Sequence, residues 1–455
     1  MRILFVSGTY SNYYAIDDVI RRLLQRGHDV RLILGMEKKI TIPDDALQKS
    51  INELPGLVVE PLRTRKFLKR FTRDLRELLN YAHVLKNEET RRWDVAKWSR
   101  FLPPFLWWLV NSSRGKRLLK TPRVRSWLRF IEQKIPSDGG IRKHIQKHQP
   151  DIVIVKPLIN PDSKENEYLR AAQSLGIPVV YSMVSWDNIS SKGTFHGLPD
   201  HSIVWNEPLA EELTRLHGIP RRTIHITGAP RFEQLLSKTN GHLVSRSEFC
   251  KQAGLNANKP YILYVGSTFL VNAEYKKDLN EGAIILEIAA AMEKNPHTKN
   301  FNILVRPHPA NSSFVESLLG QGRNNIFVYP RSGELPDTEE KRARYYNSIY
   351  HSIAVAGVNT TAFLESSALD KPCITVQTPE FGETQMLPHF HHLVEADFLE
   401  IAHSAQGLAE IVRKISTGVD SRSAQRREFV RNFLRPRGIS AVDAYIETIE
   451  KINGC

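Results

Sequence analysis

Cysteine is scarce in this sequence, which has only Cys250, Cys373 and Cys455 among 455 residues. The three are odd in number and scattered, and they lack the short paired spacings that hold a structural metal. Their scarcity argues against a disulfide framework and against a structural zinc site. It predicts a protein of a reducing compartment.

Long apolar runs are also missing. No stretch approaches the roughly 18 apolar residues that a membrane-spanning helix needs. The opening segment MRILFVSGTY is too short and too quickly interrupted for a signal peptide. We therefore expect a soluble, cytoplasmic protein.

A dinucleotide fingerprint is absent as well. RILFVS (2–7) reads as an opening parallel strand, followed by a loop at Gly8, a helix from about Ala15, and the strand GHDVRLILG (27–35). This β-loop-α-β start lacks G-x-G-x-x-G, so a dinucleotide cofactor is not indicated.

The positive charge is confined to one segment. Residues 63–134 carry 20 Lys and Arg against 6 Asp and Glu, a surplus that equals the net charge of +14 of the whole chain. Such confinement argues against nucleic acid and marks the segment as a separate surface with its own partner.

Within this segment, residues 65–134 break the β/α alternation, which predicts two or three helices. The segment holds five of the seven tryptophans: Trp93, Trp98, Trp107, Trp108 and Trp127. Basic residues interleaved with aromatic ones are typical of helices that lie on an anionic membrane surface. A helical subdomain that packs its aromatic face on the first domain, with its charges simply solvated, is the alternative.

The length of the chain exceeds what one hydrophobic core usually serves, so two domains are expected. We predict a first Rossmann-like domain at 1–236, with the basic helical insertion at about 63–140. A linker at 237–259 and a second Rossmann-like domain at 260–439 follow. The terminal helix, 440–455, is expected to pack back on the first domain.

Two loops of the second domain have the composition of an anion site. ILVRPHPAN (303–311) runs from a strand into Arg306 and His308, and its prolines exclude a helix. The segment 352–376 reads as strand, turn, helix and strand, with Thr360 and Thr361 at the helix start, where N–H groups and hydroxyls can seat an anion. Further candidates follow the second domain's first strand: Gly266, Ser267 and Thr268.

These residues also carry a family resemblance. An Arg-Pro-His-Pro loop, a hydroxyl pair that opens a helix, a glutamate one turn later and Lys-Pro before the next strand resemble the donor-binding domain of GT-B glycosyltransferases. The likeness is closest to the branch of CDP-glycerol glycerophosphotransferases and capsule polysaccharide transferases. It implies an α/β fold of two Rossmann-like domains facing a cleft. It covers most of the chain except 63–140.

The resemblance also implies roles for the residues of the second domain. Arg306, His308, Thr360 and Thr361 would hold a nucleotide-linked donor, His308 also serving as a catalytic acid, and Glu365 would bind the ribose hydroxyls. An ordinary solvated helix glutamate is the alternative for Glu365. The chain has no Asp-x-Asp, so we expect neither a metal ion nor a cofactor.

The acceptor is expected on the first domain, where the family has a Trp-His-Gly motif. This chain has Trp186, Asp187 and Asn188 in its place. Asp187 is the first candidate for the catalytic base, although an Asx-turn role is the alternative. Asp17 and His196 are further candidates, and Gly8 lies in the first loop on the same side.

Three functions remain open. The first is a metal-independent transferase that moves a glycosyl or glycerophosphate unit to a cell-surface polysaccharide or lipid-linked acceptor, on the inner face of the cell membrane. The second is an isomerase like the UDP-sugar 2-epimerases, for which a basic insertion has no evident use. The third is a non-catalytic basic protein of the same fold that binds RNA or membrane.

Overall fold

The computed structural model describes residues 1–35, 54–86, 95, 98–237, 243–267 and 281–454. The chain divides into two compact units, one formed by 1–231 with 433–455 and the other by 232–432. Among the described residues each unit contains one parallel β-sheet. The predicted α/β class with two Rossmann-like domains is therefore confirmed.

The described part of the first unit has seven strands: β1 (Arg2–Ser7), β2 (Asp29–Leu34), β3 (Val58–Pro61), β4 (Ile152–Lys156), β5 (Val179–Ser182), β6 (His201–Val204) and β7 (Ile224–Ile226). They lie in the order β3-β2-β1-β4-β5-β6-β7. Ser7 pairs with Lys156, so β1 and β4 end side by side. The order reverses between these two strands, where sheets of this kind bind their ligands.

Helices cover both faces of this sheet, which explains why the central strands β1 and β4 are almost entirely buried. They are Tyr10–Tyr14, Asp17–Gln25, Lys69–Lys86, Trp107–Asn111, Ser113–Lys120, Pro122–Lys134, Gly139–His148, Glu165–Gln173, Asn188–Ser191, Glu207–His217 and Ala441–Ile452. The last of these belongs to the first unit because Tyr445, Ile446 and Ile449 lie in the same hydrophobic cluster as Ile3 and Phe5.

The helices of the basic segment have a small core of their own. Leu75, Leu78, Leu79, Ala82 and Leu85 recur at helical spacing along Lys69–Lys86 and are buried. They cluster with residues from Trp107–Asn111, Ser113–Lys120 and Pro122–Lys134 and with Trp98, which is completely buried. This cluster makes the segment a packed subdomain of the first unit.

Buried ion pairs join this subdomain to the helix Glu165–Gln173. Arg65 Nε lies 3.0 Å from Glu167 Oε2, and Arg76 Nη1 lies 2.6 Å from Glu167 Oε1. Glu132 accepts from Arg76 and from Arg170. Part of the positive charge is thus neutralised inside the unit, where an unpaired charge would be costly.

Within the residues that the structure describes, the second unit has six strands: β8 (Tyr261–Val265), β9 (Asn302–Arg306), β10 (Ile326–Val328), β11 (Val355–Gly357), β12 (Cys373–Val376) and β13 (Leu399–Ala402). Their order is β10-β9-β8-β11-β12-β13, so the reversal lies between β8 and β11. The helices are Glu233–Leu236, Arg246–Ala253, Glu281–Lys294, Val315–Leu319, Glu339–Tyr350, Ala362–Ala368, Pro388–Glu395, Ala405–Ser416 and Ser423–Phe429.

Candidate functional site

The predicted donor loops meet at the carboxyl edge of the second sheet. Val265 pairs with Arg306 on one side and with Gly357 on the other, so three neighbouring strands end at one level. A β-carbon on Gly357 would stand 2.7 Å from the carbonyl oxygen of Val265, and one on Gly266 would stand 3.4 Å from the backbone nitrogen of His308. These glycines let the loops approach closely.

Hydrogen bonds hold the loops together. The Asn359 N–H donates to Ser267 Oγ at 3.5 Å, across the point where the strand order reverses. Asn311 donates through its side-chain amide to the Ser267 carbonyl oxygen at 3.2 Å. Thr268, the third predicted residue of the first loop, lies outside the described residues.

Glu281 lies beneath these loops and organises them. Its carboxylate accepts from the Ser267 N–H at 3.0 Å, from Tyr264 at 3.1 Å and from Asn311 at 3.2 Å. Burial raises the pKa of Glu281 to about 7, and the surrounding donors oppose that shift. Sequence reasoning missed this residue because its partners lie up to 30 residues away.

His308 has a defined tautomer in this arrangement. Its Nδ1 accepts from the Ala310 N–H at 3.1 Å. Burial lowers the pKa of the imidazole, which favours the neutral form with its proton on Nε2. His308 therefore offers one N–H donor without carrying a positive charge.

Arg306 occupies a more enclosed position. Its guanidinium lies 4.9 Å from the ring centroid of Tyr345 and 3.7 Å from the carboxylate of Glu334. Nη1 is buried and has no hydrogen-bond partner among the described residues. The sequence predicted that Arg306 lies at a strand end. Its contacts with Glu334 and Tyr345 depend on the tertiary structure and could not be predicted from the sequence.

The two threonines precede the short helix Ala362–Ala368. Thr360 Oγ1 accepts from the Ala362 N–H at 3.2 Å, an ST-turn that precedes the helix, whose N-cap is Thr361. Glu365 is 4% exposed. It is therefore not the ordinary solvated glutamate that was its alternative.

At the carboxyl edge of the first sheet, Gly8 follows β1 and Lys156 ends β4. The Gly8 N–H donates to the Lys156 carbonyl oxygen at 3.3 Å. Glu165, which sequence reasoning missed, lies against Gly8, and its other oxygen accepts from Ser163 at 2.7 Å. Burial raises the pKa of Glu165 to about 7.

Lys156 is a second residue that sequence reasoning missed. Its side chain is fully buried, and Nζ has no hydrogen-bond partner in the part of the chain that is described. Burial lowers its pKa well below the ordinary value, while the charge of Asp17 opposes that shift. A lysine at the end of the otherwise apolar run DIVIVK was the signal in the sequence.

The Trp186-Asp187-Asn188 loop follows β5 on the same edge. Asn188 Oδ1 accepts from the Ser185 N–H at 2.9 Å, and Trp186 is buried. Asp187 precedes a single helical turn, and its carboxylate lies 3.3 Å from Lys192 Nζ. The side chain of Asp187 remains 26% exposed.

His196 is buried in the first unit, and its Nδ1 has no hydrogen-bond partner among the described residues. Burial and nearby arginines lower its pKa well below the ordinary value. It lines a cavity between the helix Lys69–Lys86 and the loop that follows β4.

The prediction of no metal is not tested by this structure. Within the described ranges, one group of side chains has metal-ligand geometry: Glu60, His144 and His148. Glu60 already accepts from His144 at 2.7 Å and from Lys147 at 2.9 Å. An ion would have to displace these bonds beside the positive charge of Lys147.

The basic segment exposes aromatic side chains. Trp107, Trp108 and Trp127 are 48%, 72% and 63% exposed, whereas Trp98 is buried and Trp93 lies outside the described residues. Among the residues described, no helix has both the length and the apolar character to cross a bilayer.

No known family model matches the chain, and neither does the sequence of any curated protein. Solved structures share its fold at low identity. One is the UDP-GlcNAc 2-epimerase of Neisseria meningitidis bound to UDP-GlcNAc (TM-score 0.59, 13% identity, 99% of this chain and 100% of that chain). Another is a glycosyltransferase of Rickettsia africae (TM-score 0.52, 13% identity, 99% and 98%).

A third is the UDP-GlcNAc 2-epimerase of Methanocaldococcus jannaschii (TM-score 0.55, 13% identity, 99% of this chain and 100% of that chain). At this identity the likeness concerns the fold, which is the two-domain GT-B type. The glycerophosphotransferase branch has no counterpart among these three.

Proposed function

We propose that the protein is a metal-independent transferase that moves a glycosyl, or less favourably a glycerophosphate, unit from a nucleotide-activated donor to a polysaccharide or lipid-linked acceptor. The observation that carries this proposal is the convergence of three loops where the strand order of the second sheet reverses. Gly266, His308 and Thr360 lie in the loops that follow three adjacent strands there. Open sheets of this class bind their ligands at such points.

The groups at this edge suit the diphosphate of a nucleotide donor. Loop N–H groups, threonine hydroxyls and the Nε2 proton of His308 are donors held in fixed positions. Preorganised donors can stabilise the charge that develops on a leaving phosphate without a metal ion. The buried glutamate Glu365 is the proposed partner of the ribose hydroxyls.

The catalytic base is proposed on the first unit. Asp187 stands on the loop that follows β5, with its side chain 26% exposed and its carboxylate 3.3 Å from Lys192 Nζ. Glu165 has a pKa raised by burial to about 7, the range in which a general base is most effective. Both residues belong to the carboxyl edge of the first sheet.

The basic subdomain is proposed to rest on an anionic membrane surface, on the cytoplasmic side. Of the nine large aromatic side chains that are exposed in the described parts of the chain, eight fall between residues 67 and 130: Phe67, Phe71, Phe101, Phe105, Trp107, Trp108, Trp127 and Phe130. Aromatic rings beside Lys and Arg suit the headgroup region of a bilayer.

A UDP-sugar 2-epimerase-like isomerase is the second candidate, because two of the structures with this fold are epimerases of that kind. Incubation with UDP-GlcNAc and no acceptor separates the two functions. An isomerase would convert the sugar to its 2-epimer, which NMR detects. A transferase would leave the donor unchanged until an acceptor is supplied.

The donor is to be identified by thermal shift with CMP, CDP, UDP, GDP and TDP in the presence of EDTA. A ligand that binds only the folded protein raises its melting temperature as its concentration increases above Kd. We expect one of these nucleotides to stabilise the protein without metal. Stabilisation by none of them would favour the third function, a non-catalytic binding protein.

A further inference from the structure

A cavity of about 50 Å³ lies in the first unit, between the helix Lys69–Lys86 and the loop that follows β4. Since a single water needs roughly 10–15 Å³ of such volume, the enclosed part of the cavity takes only a few ligand atoms, and the rest of a larger ligand would lie at its open side. Half of its wall comes from the basic insertion.

The lining contains several buried polar atoms with nothing to bind. Thr72 Oγ1, Asn160 Oδ1, Asn166 Oδ1 and His196 Nδ1 have no hydrogen-bond partner among the described residues. Buried polar atoms are rarely left unsatisfied, because each forfeits its hydrogen bonds to water. Four such atoms around one cavity require polar partners, which waters or the hydroxyl groups of a ligand can supply.

The orientation of Asn166 shows which chemistry this occupant has. Its Nδ2 donates to the carbonyl oxygens of Leu158 at 2.8 Å and Ser163 at 3.3 Å. These two bonds fix the side-chain amide, so its unpartnered atom is the acceptor Oδ1. A buried acceptor requires a donor such as a hydroxyl group, and an anionic oxygen cannot supply one.

The wall opposite is rigid. Glu77 accepts from the Asp162 N–H at 2.7 Å and from Asn80 Nδ2 at 3.3 Å, and Asn80 Oδ1 accepts from the Thr194 N–H at 2.9 Å. Side chains held in this way form a pocket before any ligand arrives, which lowers the entropic cost of binding.

The solvent side of the cavity carries two lysines beside the exposed Asp162, whose charge interacts with Arg73. Arg65 and Arg76, which also line it, are engaged by buried glutamates. Lys69 is exposed and Lys164 is half-buried. Neither of these lysines has an ion pair among the described residues, so both can meet an anionic group at the rim.

We propose that this cavity binds a polyhydroxylated anion, such as a sugar with a single carboxylate or phosphate group. Its hydroxyl groups would bond to the buried acceptors, and its charged group would lie between Lys69 and Lys164. The proposal concerns the first unit alone, and it holds whether or not the second unit uses a nucleotide donor.

Titration calorimetry with the full-length protein tests the proposal with glucuronate, glucose 6-phosphate, glucose and inorganic phosphate. Glucuronate and glucose 6-phosphate combine hydroxyl groups with a negative charge. Glucose has the hydroxyl groups alone, and inorganic phosphate has the charge alone. We expect at least one of the first two to bind about tenfold more tightly than glucose or phosphate, the effect of a few additional hydrogen bonds. Equal binding of phosphate, equal binding of glucose, or no binding by any probe at millimolar concentration would overturn it.

Two variants locate the bound probe. Thr72→Val removes an unpartnered hydroxyl while keeping the shape of the side chain. Lys164→Gln removes a positive charge at the rim of the cavity and leaves the hydrophobic core unchanged. Each should weaken binding of the preferred probe several-fold. The matched controls Thr214→Val and Lys143→Gln, both at exposed positions of the first unit, should leave it unchanged.

His308→Ala distinguishes this cavity from the donor loops of the second unit. Probe affinity that is unchanged in His308→Ala and reduced in Lys164→Gln supports the cavity. Affinity that survives Thr72→Val and Lys164→Gln but falls in His308→Ala would place the probe in the second unit and overturn the proposal.

Discussion

Glu165 lies directly against the α-carbon of Gly8: a β-carbon on Gly8 would stand 2.0 Å from Glu165 Oε1. The two residues are 157 positions apart in the chain, and they meet because β1 and β4 are neighbours in the first sheet. Because residue 8 is a glycine, the buried side chain of Glu165 has room at the carboxyl edge of the first sheet.

Replacement of Gly8 by alanine should displace the Glu165 side chain. We expect a loss of about 1–3 kcal/mol in the free energy of unfolding, typical of an overpacked site. Urea denaturation measures this loss. Gly139→Ala is the matched control because a β-carbon at that position would have no atom within 4 Å; equal stability of the two variants would contradict the prediction.

Glu165 should also make the protein less stable as the pH rises. Burial raises its pKa to about 7 from 4.5. Between pH 4.5 and 7, Glu165 is protonated in the folded state and ionised in the unfolded chain. Its contribution to the free energy of unfolding is therefore fully present below pH 4.5 and is lost as the pH rises through 7. The loss amounts to about 3 kcal/mol.

Glu165→Gln cannot release this proton. Unfolding free energies measured from pH 4.5 to 8 should therefore fall less steeply in the variant than in the wild type. Identical slopes would show that Glu165 is already ionised in the folded protein at the lower end of this range.

Asp187→Asn tests the first candidate for the base. The change is nearly isosteric, so fold and nucleotide affinity should be kept. Turnover should fall by roughly 10²–10⁴-fold, the range for a lost general base. Wild-type turnover in this variant, together with a large loss in Glu165→Gln, would transfer the role to Glu165, and losses in neither would direct attention to Asp17.

Nucleotide affinity should depend on the second unit. We expect His308→Ala, and the double variant Thr360→Ala with Thr361→Ala, each to weaken binding by about 1–3 kcal/mol, the scale for hydrogen bonds to a charged group. Calorimetry with EDTA present measures this. His297→Ala, at an exposed position of the same unit, is the control, and unchanged affinity in both test variants would remove the site from these loops.

Vesicle binding should depend on the exposed tryptophans and on charge. Replacement of Trp107 and Trp108 by serine should reduce co-sedimentation with anionic vesicles, because these rings would anchor the subdomain at headgroup depth. Nucleotide affinity should not change. Val419→Ser, which alters an exposed apolar residue of the second unit, is the control.

Salt supplies an independent check of the same surface. Exposed charges are screened beyond about 8 Å at physiological ionic strength, so binding should weaken as salt is added. Equal recovery with neutral and anionic vesicles, or none with either, would contradict the membrane role. The basic surface would then serve an acidic acceptor or simply face solvent.

Local sequence was sufficient to predict the fold class and the strand ends from which the proposed donor loops begin. Runs such as ILV before Arg306 indicate buried strands because only apolar side chains fit a sheet covered on both faces. Proline and threonine then set where each strand ends. These signals act over a few residues, so they could be read without the fold.

Burial and partners were decided by the tertiary structure alone. Nothing in the sequence of the basic segment distinguishes buried from exposed tryptophans among its five, yet Trp98 is buried and Trp108 is 72% exposed. Arg76 was one cation among 20, and only its contact with Glu167, 91 residues away, shows that it is neutralised. Glu165 and Lys156 acquire their shifted pKa values in the same way. Desolvation depends on how residues distant in the chain pack together, and no local pattern encodes that packing.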